Sequence, residues 1–162
     1  YESIFVISKN EIKKILEKNN IIQEFSIKKI YPSTLNIEIK PTKFIARVSN
    51  NGHYLVGANG KLIEDKNNNE LLPYIFGEFN SLDFLSFKQN IEKSIFSFSN
   101  LKTLYFFPSG RWDILTNNDI LIKLPQEHIV ASLNLSKKLI NNDNFKDYKL
   151  IDLRVKNHLV AK

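Results

Sequence analysis

The residues that most often carry catalytic or metal chemistry are few in this sequence and widely spaced. Its three histidines, His53, His128 and His158, lie far apart, and none belongs to the H-x-x-x-H or H-E-x-x-H spacing of a metal site. There is no cysteine, which excludes disulfides, thiolate metal sites and a cysteine nucleophile. Solvated or capping histidines are therefore a better interpretation than a zinc site.

Two short motifs also fail as catalytic or phosphate-binding signatures. Gly60-Lys61 is followed by Leu62 and lacks the upstream glycine of a P-loop. Ser109 precedes Gly110, but no G-x-S-x-G frames it, and a serine in a turn needs no other explanation. The sequence therefore predicts no catalytic residues, no cofactor and no enzymatic activity.

Composition describes an ordinary globular chain with a basic surface. The 162 residues are 43% hydrophobic and carry a net charge of +6, enough for one good core or two small ones. The lysines are scattered among acids and asparagines, which is typical of a solvated surface, so we expect no nucleic-acid partner. No run approaches the roughly 18 apolar residues of a membrane span. Because the chain starts at Tyr1, we expect a fragment that a membrane anchor can precede.

The first part of the chain predicts a helix over a β-hairpin. Residues 8–19 have helical periodicity, with Ser8 and Glu11 at the spacing of a capping box. Two alternating runs on either side of a Pro-containing turn predict the hairpin. The expected inward residues are Ile12, Ile15 and Leu16 of the helix, and Phe25, Ile27, Ile30, Leu35, Ile37 and Ile39 of the hairpin. We place a domain boundary near Lys43, giving domains 1–43 and 44–162.

The second part predicts mostly strands, with two helices. A turn at Gly57–Gly60 separates two short strands, and residues 71–77 are an apolar segment closed by Gly77. Further strands are expected at 101–107, 111–116 and 120–124. Helices are expected from Leu82 to about Phe96, with Leu82, Leu85, Ile91 and Ile95 on one face, and from Pro125 to about Ile140, with Ile129, Leu133, Leu135 and Leu139 inward.

The closing stretch, residues 149–160, has the period of two that predicts one strand with a buried face. A terminal strand commonly lies at a sheet edge, where unpaired backbone groups can recruit another polypeptide. Asp152 and Arg154 would share a face of this strand, either as a structural pair or as an exposed pair that contacts a partner. Trp112 is expected in the core, with Arg111 on the opposite face.

Five short signatures follow one another along the chain: Ile30-Tyr31-Pro32-Ser33-Thr34-Leu35-Asn36-Ile37 with Lys40-Pro41, Leu55-Val56-Gly57-Ala58-Asn59-Gly60, Leu72-Pro73-Tyr74-Ile75-Phe76-Gly77, Gly110-Arg111-Trp112, and Ile151-Asp152-Leu153-Arg154. Their order and spacing resemble the extracytoplasmic region of the bacterial cell-division FtsQ/DivIB family. Val155 departs from the family, in which many members carry an aromatic residue there. Asn157-His158 departs from the usual small polar turn.

The resemblance implies an α+β protein: a POTRA domain lacking its first strand and helix, then a β-domain of mostly antiparallel strands backed by helices. It implies a non-enzymatic divisome scaffold, anchored in the inner membrane by one missing N-terminal helix, with this region in the periplasm and enriched at the septum. The expected partners are FtsB and FtsL, with other divisome proteins possible, and the expected role is regulation of septal peptidoglycan synthesis. The expected partner-binding residues are Arg111, Arg154, Val155, Lys156, Asn157, His158, Leu159 and Val160.

A second interpretation is a POTRA-type chaperone or translocation module of outer-membrane protein assembly. Such a module would bind strands at the POTRA edge, residues 35–39, and would usually carry repeated POTRA units. The sequence contains no internal repeat.

Overall fold

A computed structural model of the chain describes residues 8–48, 54–66, 70–145, 147–155 and 160–162. Within these residues there are three α-helices and eleven strands, which confirms the predicted α+β class. The helices are α1 (Lys9–Lys18), α2 (Ser81–Glu92) and α3 (Ile129–Ile140). The strands are β1 (Ile22–Ile30), β2 (Thr34–Pro41), β3 (Phe44–Val48), β4 (Tyr54–Gly57), β5 (Leu62–Glu64), β6 (Tyr74–Phe76), β7 (Leu101–Phe106), β8 (Trp112–Thr116), β9 (Leu121–Lys123), β10 (Leu150–Asp152) and β11 (Val160–Ala161).

The first part is the predicted helix and hairpin. Strands β1 and β2 pair antiparallel in a two-stranded sheet, and α1 contacts β1. Several details of the prediction are wrong. Ile30, Ile37 and Ile39 of the hairpin, expected inward, are 53%, 38% and 51% exposed. Ser8 precedes the helix but its side chain accepts no capping hydrogen bond, and Ile15 is 68% exposed. Ile12 and Leu16 are half-buried as an i, i+4 stripe, and Ile15 lies to one side of that stripe.

The second part is built on a nine-stranded mixed sheet. Its strand order is β11-β10-β9-β8-β7-β6-β3-β4-β5, and most neighbouring strands are antiparallel. One row of fully buried residues crosses the sheet in register: Ile75, Leu104, Ile114, Ile122 and Ile151. Residues of α2 and α3 complete this core, so both helices cover the same face of the sheet.

Helix α2 places aromatic side chains against the only tryptophan. The helix starts at a capping box, because Asn80 accepts hydrogen bonds from Leu82 N (2.8 Å) and Asp83 N (3.0 Å) and donates its own N–H to Asp83 (3.0 Å). Trp112 is buried as predicted and stacks on Phe87 at 4.7 Å between ring centroids.

The predicted inward faces of α2 and α3 are partly wrong. Leu82 is exposed, and so is Ile95, which lies beyond the end of α2; the buried positions are Phe84, Phe87 and Ile91. These three residues have the i, i+3, i+7 spacing of one helix face, and Phe87 of that face stacks on Trp112.

In α3, Leu133 is fully buried, whereas Leu135, predicted inward, is 45% exposed. The helix begins at Ile129 and not at Pro125, because His128 has a left-handed backbone (φ 57°) that interrupts helical geometry.

Gly77 directly follows β6 and occupies a position that only glycine fits. Its φ is +105°, and a Cβ atom there would lie 2.2 Å from the carbonyl oxygen of Phe106. This close approach of two strands explains the glycine that closes the Leu72–Gly77 signature.

A cluster of asparagines joins the first part to the large sheet. The Asn59 side chain donates to the carbonyls of Asn20 (3.0 Å) and Ile22 (3.2 Å), and Asn20 in turn donates to Leu62 O (2.9 Å). The turn at Gly57–Gly60 thus holds the end of α1 against β5. The division into domains at residue 43 remains a prediction. No helix within the described ranges is both long and apolar enough to cross a membrane.

Candidate strand-addition site

One end of the nine-stranded sheet is formed by β11, next to β10. Leu150 and Lys162 exchange two backbone hydrogen bonds of 2.9 and 3.1 Å, so they form a hydrogen-bonded antiparallel pair. The next pair along, Ile151 and Ala161, is therefore of the non-hydrogen-bonded type. Ala161 thus directs its backbone N–H and C=O away from β10, towards the open side of the sheet.

The closing stretch is not one strand, which corrects the prediction for residues 149–160. Strand β10 stops at Asp152, because the Asp152 carboxylate accepts a hydrogen bond from Arg154 N at 3.1 Å and turns the chain. The chain then returns as β11, antiparallel to β10, while β10 pairs parallel with β9. Among the described residues, the edge at this end of the sheet is therefore β11.

A charged row lies beside this edge on the sheet face opposite the helices. It consists of Asp113 on β8, Lys123 on β9 and Asp152 on β10, which are neighbours in register, and Val160 on β11 comes next. Asp113 is 3% exposed and accepts hydrogen bonds from Arg111 Nε (3.1 Å) and Leu124 N (3.3 Å). The alternating signs of the charged row stabilise the pairing of these three strands.

Arg111 already contacts two side chains of this protein, so a partner would share it with these internal contacts. Besides its pair with Asp113, its guanidinium lies 4.2 Å from the centroid of the Phe107 ring. Replacing Arg111 by an acid would place two carboxylates together where one of them is buried, so it would disturb the fold as well as any interface.

Arg154 forms a pair with Asp152 and still presents donors to solvent. Its Nε and Nη2 atoms donate to the Asp152 carboxylate at 2.6–3.0 Å. The hydrogen bond from Arg154 holds the pKa of Asp152 below its ordinary value, against the opposing effect of partial burial. The Arg154 side chain is 41% exposed, and a guanidinium has five N–H groups, so several remain for a partner carboxylate. Asp152 and Arg154 thus form a structural ion pair in which Arg154 remains accessible, and contact of Arg154 with a partner stays a prediction.

The Asp152–Arg154 pair should make the stability of the fold depend on pH. Because the pKa of Asp152 is lower in the folded state, the pair stabilises the fold above the unfolded pKa, near 3.9, and that stabilisation is lost as the pH falls through the folded pKa. We expect Asp152→Asn to melt below the parent at pH 7, and the gap to close as the pH falls below about 4. Thermal melts across this range measure the gap, and a gap that widens with acid would contradict the assignment.

The remaining predicted partner residues divide between exposed and undescribed positions. Val155 is 63% exposed and Val160 is 45% exposed. Lys156, Asn157, His158 and Leu159 lie outside the described residues, and so does His53. Within the part of the chain that the structure describes, no three residues among His, Cys, Asp and Glu come together as a metal-binding group.

Comparison with known families covers both parts of the chain. Residues 1–40 match the POTRA domain of the FtsQ type, and residues 46–154, more than half of the chain, match the C-terminal region of the cell division protein FtsQ/DivIB. The chain belongs to the FtsQ/DivIB family. The resemblance drawn from its signatures is thereby confirmed.

Curated FtsQ relatives come from several Rickettsia species. The cell division protein FtsQ of Rickettsia typhi is 29% identical over 161 residues, covering 96% of this chain and 60% of the relative. FtsQ of Rickettsia conorii is 28% identical over 164 residues, covering 95% and 59%. The chain thus spans about three fifths of these relatives.

The β11 edge and the charged row beside it include residues that the sequence pattern did not indicate. Ala161 and Lys162 were absent from the predicted site, although Ala161 carries the outward backbone groups and Lys162 holds β11 to β10. Asp113 and Lys123 were also missed. A period-two pattern gives a strand's face but not its neighbours, so the charged row becomes visible only when the register is known.

Proposed function

We propose that this chain is the periplasmic region of a single-span inner-membrane cell-division protein that acts as a non-enzymatic scaffold of the divisome. It holds the FtsB–FtsL pair by strand addition at β11 and helps to regulate septal peptidoglycan synthesis. Family membership supports the role in cell division. The partners, the location at the septum and the absence of catalysis are parts of the proposal.

The observation that carries the binding mode is the outward backbone of Ala161 at the end of the sheet. A partner strand placed there receives backbone hydrogen bonds that set its registry, and alternate side-chain contacts supply selectivity. An isolated two-residue strand would be a poor template. Here β11 is held by β10 and by Lys162, so its backbone is already ordered before a partner arrives.

Side chains beside β11 favour an acidic or amphipathic partner segment. The exposed guanidinium of Arg154 can donate hydrogen bonds to a second carboxylate, and Val155 and Val160 supply exposed apolar surface. Arg111 contributes positive charge behind this surface, held by Asp113. The proposed contact also includes the residues between Val155 and Val160, which are Lys156, Asn157, His158 and Leu159.

The alternative, a module of outer-membrane protein assembly, would use the hairpin edge at residues 35–39. The match of residues 46–154 to the FtsQ/DivIB C-terminal region favours the divisome scaffold. Binding of a partner at the hairpin edge rather than at β11 would favour the alternative.

A proline at Ala161 tests the proposed edge without breaking the sheet. Ala161→Pro removes the outward backbone N–H of Ala161, and Val160, which faces β10, keeps its bonds. We expect binding of the soluble segments of FtsB and FtsL to weaken by about 1–3 kcal/mol, the worth of a hydrogen bond plus local strain. Isothermal calorimetry measures the change.

The matched control is Ala161→Val, which keeps the donor and has a high strand propensity. It should bind within about 0.5 kcal/mol of the parent. If the proline and valine variants bind equally well while both remain folded, the partner does not pair with β11.

A further inference from the structure

The other end of the nine-stranded sheet is also an open edge. Among the described residues, strand β5 pairs with β4 and no other strand, and Gly57 N donates to Lys61 O at 3.0 Å. The backbone N–H and C=O groups of successive residues in a strand point to opposite sides. Those of Lys61 and Ile63 therefore point towards β4, whereas those of Leu62 and Glu64 point outward. The Leu62 carbonyl already accepts a hydrogen bond from the side chain of Asn20. The Leu62 N–H and both backbone groups of Glu64 form no hydrogen bond within the described part of the chain.

An apolar groove of about 830 Å³ runs along this edge, between β5 and the end of α1. Its apolar lining residues are Ile15, Ile21, Phe44, Leu55, Leu62 and Ile63. Ile15, Ile21 and Leu62 are exposed, so the groove offers uncovered apolar surface next to unpaired backbone. These are the two requirements of strand addition: a template for hydrogen bonds and pockets for alternate side chains.

The charges at the groove favour an acidic occupant. Lys18 and Lys66 line it and form no salt bridge within the described ranges, and Glu64 is the only acid among its lining residues there. A second copy of this chain is a poor occupant, because its net charge of +6 would oppose the same lysines.

We infer that the outward edge of β5 and the adjoining groove bind an extended, acidic segment of a partner protein by strand addition. The segment pairs with Leu62 and Glu64, places alternate apolar side chains in the groove, and directs its carboxylates to Lys18 and Lys66. This inference is independent of the proposed function at β11. Two occupied edges of a nine-stranded sheet would be about 38 Å apart, at a strand spacing near 4.8 Å. One sheet could thus hold two partner segments at the same time.

A fluorescent peptide is the probe for this edge. We would measure fluorescence anisotropy with a ten-residue peptide in which valine alternates with threonine and aspartate, and with a counterpart that carries lysine for aspartate. The aspartate peptide should bind the 162-residue chain at least about tenfold more tightly, because two exposed charge pairs change sign. Lys18→Glu with Lys66→Glu should remove this preference. Lys138→Glu, an exposed lysine on α3, should not.

The decisive pair of variants is Glu64→Pro and Glu64→Gln. The proline removes the outward N–H without touching the bonds to β4, and it suits an edge strand. We expect the aspartate peptide to bind Glu64→Pro about three- to tenfold more weakly, the equivalent of one lost hydrogen bond. Glu64→Gln keeps the donor and removes a repulsive charge, so it should bind as tightly as the parent or more tightly. Slower hydrogen exchange of the Glu64 amide on adding peptide would locate the contact directly.

Ala161→Pro separates this site from the β11 edge, because it should leave peptide binding here unchanged. The inference is overturned if the aspartate peptide fails to bind at millimolar concentration, or if Glu64→Pro binds like Glu64→Gln. It is also overturned if sedimentation shows a dimer that Glu64→Pro abolishes, since the occupant would then be a second copy.

Discussion

Trp112→Ala should destabilise the large sheet by about 3–5 kcal/mol, the range for removing a buried aromatic side chain. Trp112 is 3% exposed, stacks on Phe87 at 4.7 Å and lies 4.8 Å from the Phe106 ring. Removing the indole leaves a cavity between α2 and the sheet. Because small domains have a total stability of about 5–15 kcal/mol, much of the margin would be lost.

Urea denaturation followed by far-ultraviolet circular dichroism measures this loss, since the variant has no tryptophan fluorescence. Tyr74→Ala is the matched control, because Tyr74 is an aromatic residue of the same sheet that is 49% exposed. It should cost about 1 kcal/mol or less. A Trp112→Ala protein as stable as the Tyr74→Ala protein would mean that the stacked cluster does not support the core.

The sequence pattern predicted the elements of this fold better than their partners. The helix and hairpin of the first part and the short strands of the second follow from local periodicity and turn residues, and they are present. Local patterns failed where tertiary packing chose between two apolar faces. Leu133 and Leu135 were both expected inward, but Leu133 is fully buried whereas Leu135 is 45% exposed.

The sequence placed the partner contacts in the closing stretch, which stays a prediction, and it did not predict how the sheet edge there is built. Alternation around Leu153 suggested one long strand, yet the Asp152 carboxylate binds Arg154 N and ends β10. A side chain that competes for a backbone group changes the chain direction without changing the hydrophobic pattern. Arg111 was expected to meet acidic side chains, and its partner Asp113 is within the same strand region.

The two edges of the sheet differ in how they could have been found from sequence. The β11 edge follows from its terminal position, which is typical of edge strands. The β5 edge lies in the middle of the chain, where nothing in the pattern of Leu62 and Ile63 distinguishes an edge from a central strand. Only the pairing order of the nine strands reveals it.

Truncation after Arg154 should abolish binding of the FtsB–FtsL pair to this chain. The deletion removes β11 with its outward Ala161, and it removes Val155 and the four residues that follow it. It leaves β10 as the new edge, but that strand has three residues and ends where Asp152 binds Arg154. A partner would thus lose both its ordered template and its exposed apolar contacts, which we expect to weaken binding by at least about 100-fold.

Calorimetry with the soluble partner segments measures this loss, and near-ultraviolet circular dichroism of Trp112 shows whether the core remains packed. Lys156→Ala is the control within the deleted segment, because a single exposed charge contributes below about 1 kcal/mol. Folded truncated protein that binds like the parent would exclude β11 as the template. The Glu64→Pro variant would then decide whether the partner uses β5, since its proline removes an outward donor at that edge alone.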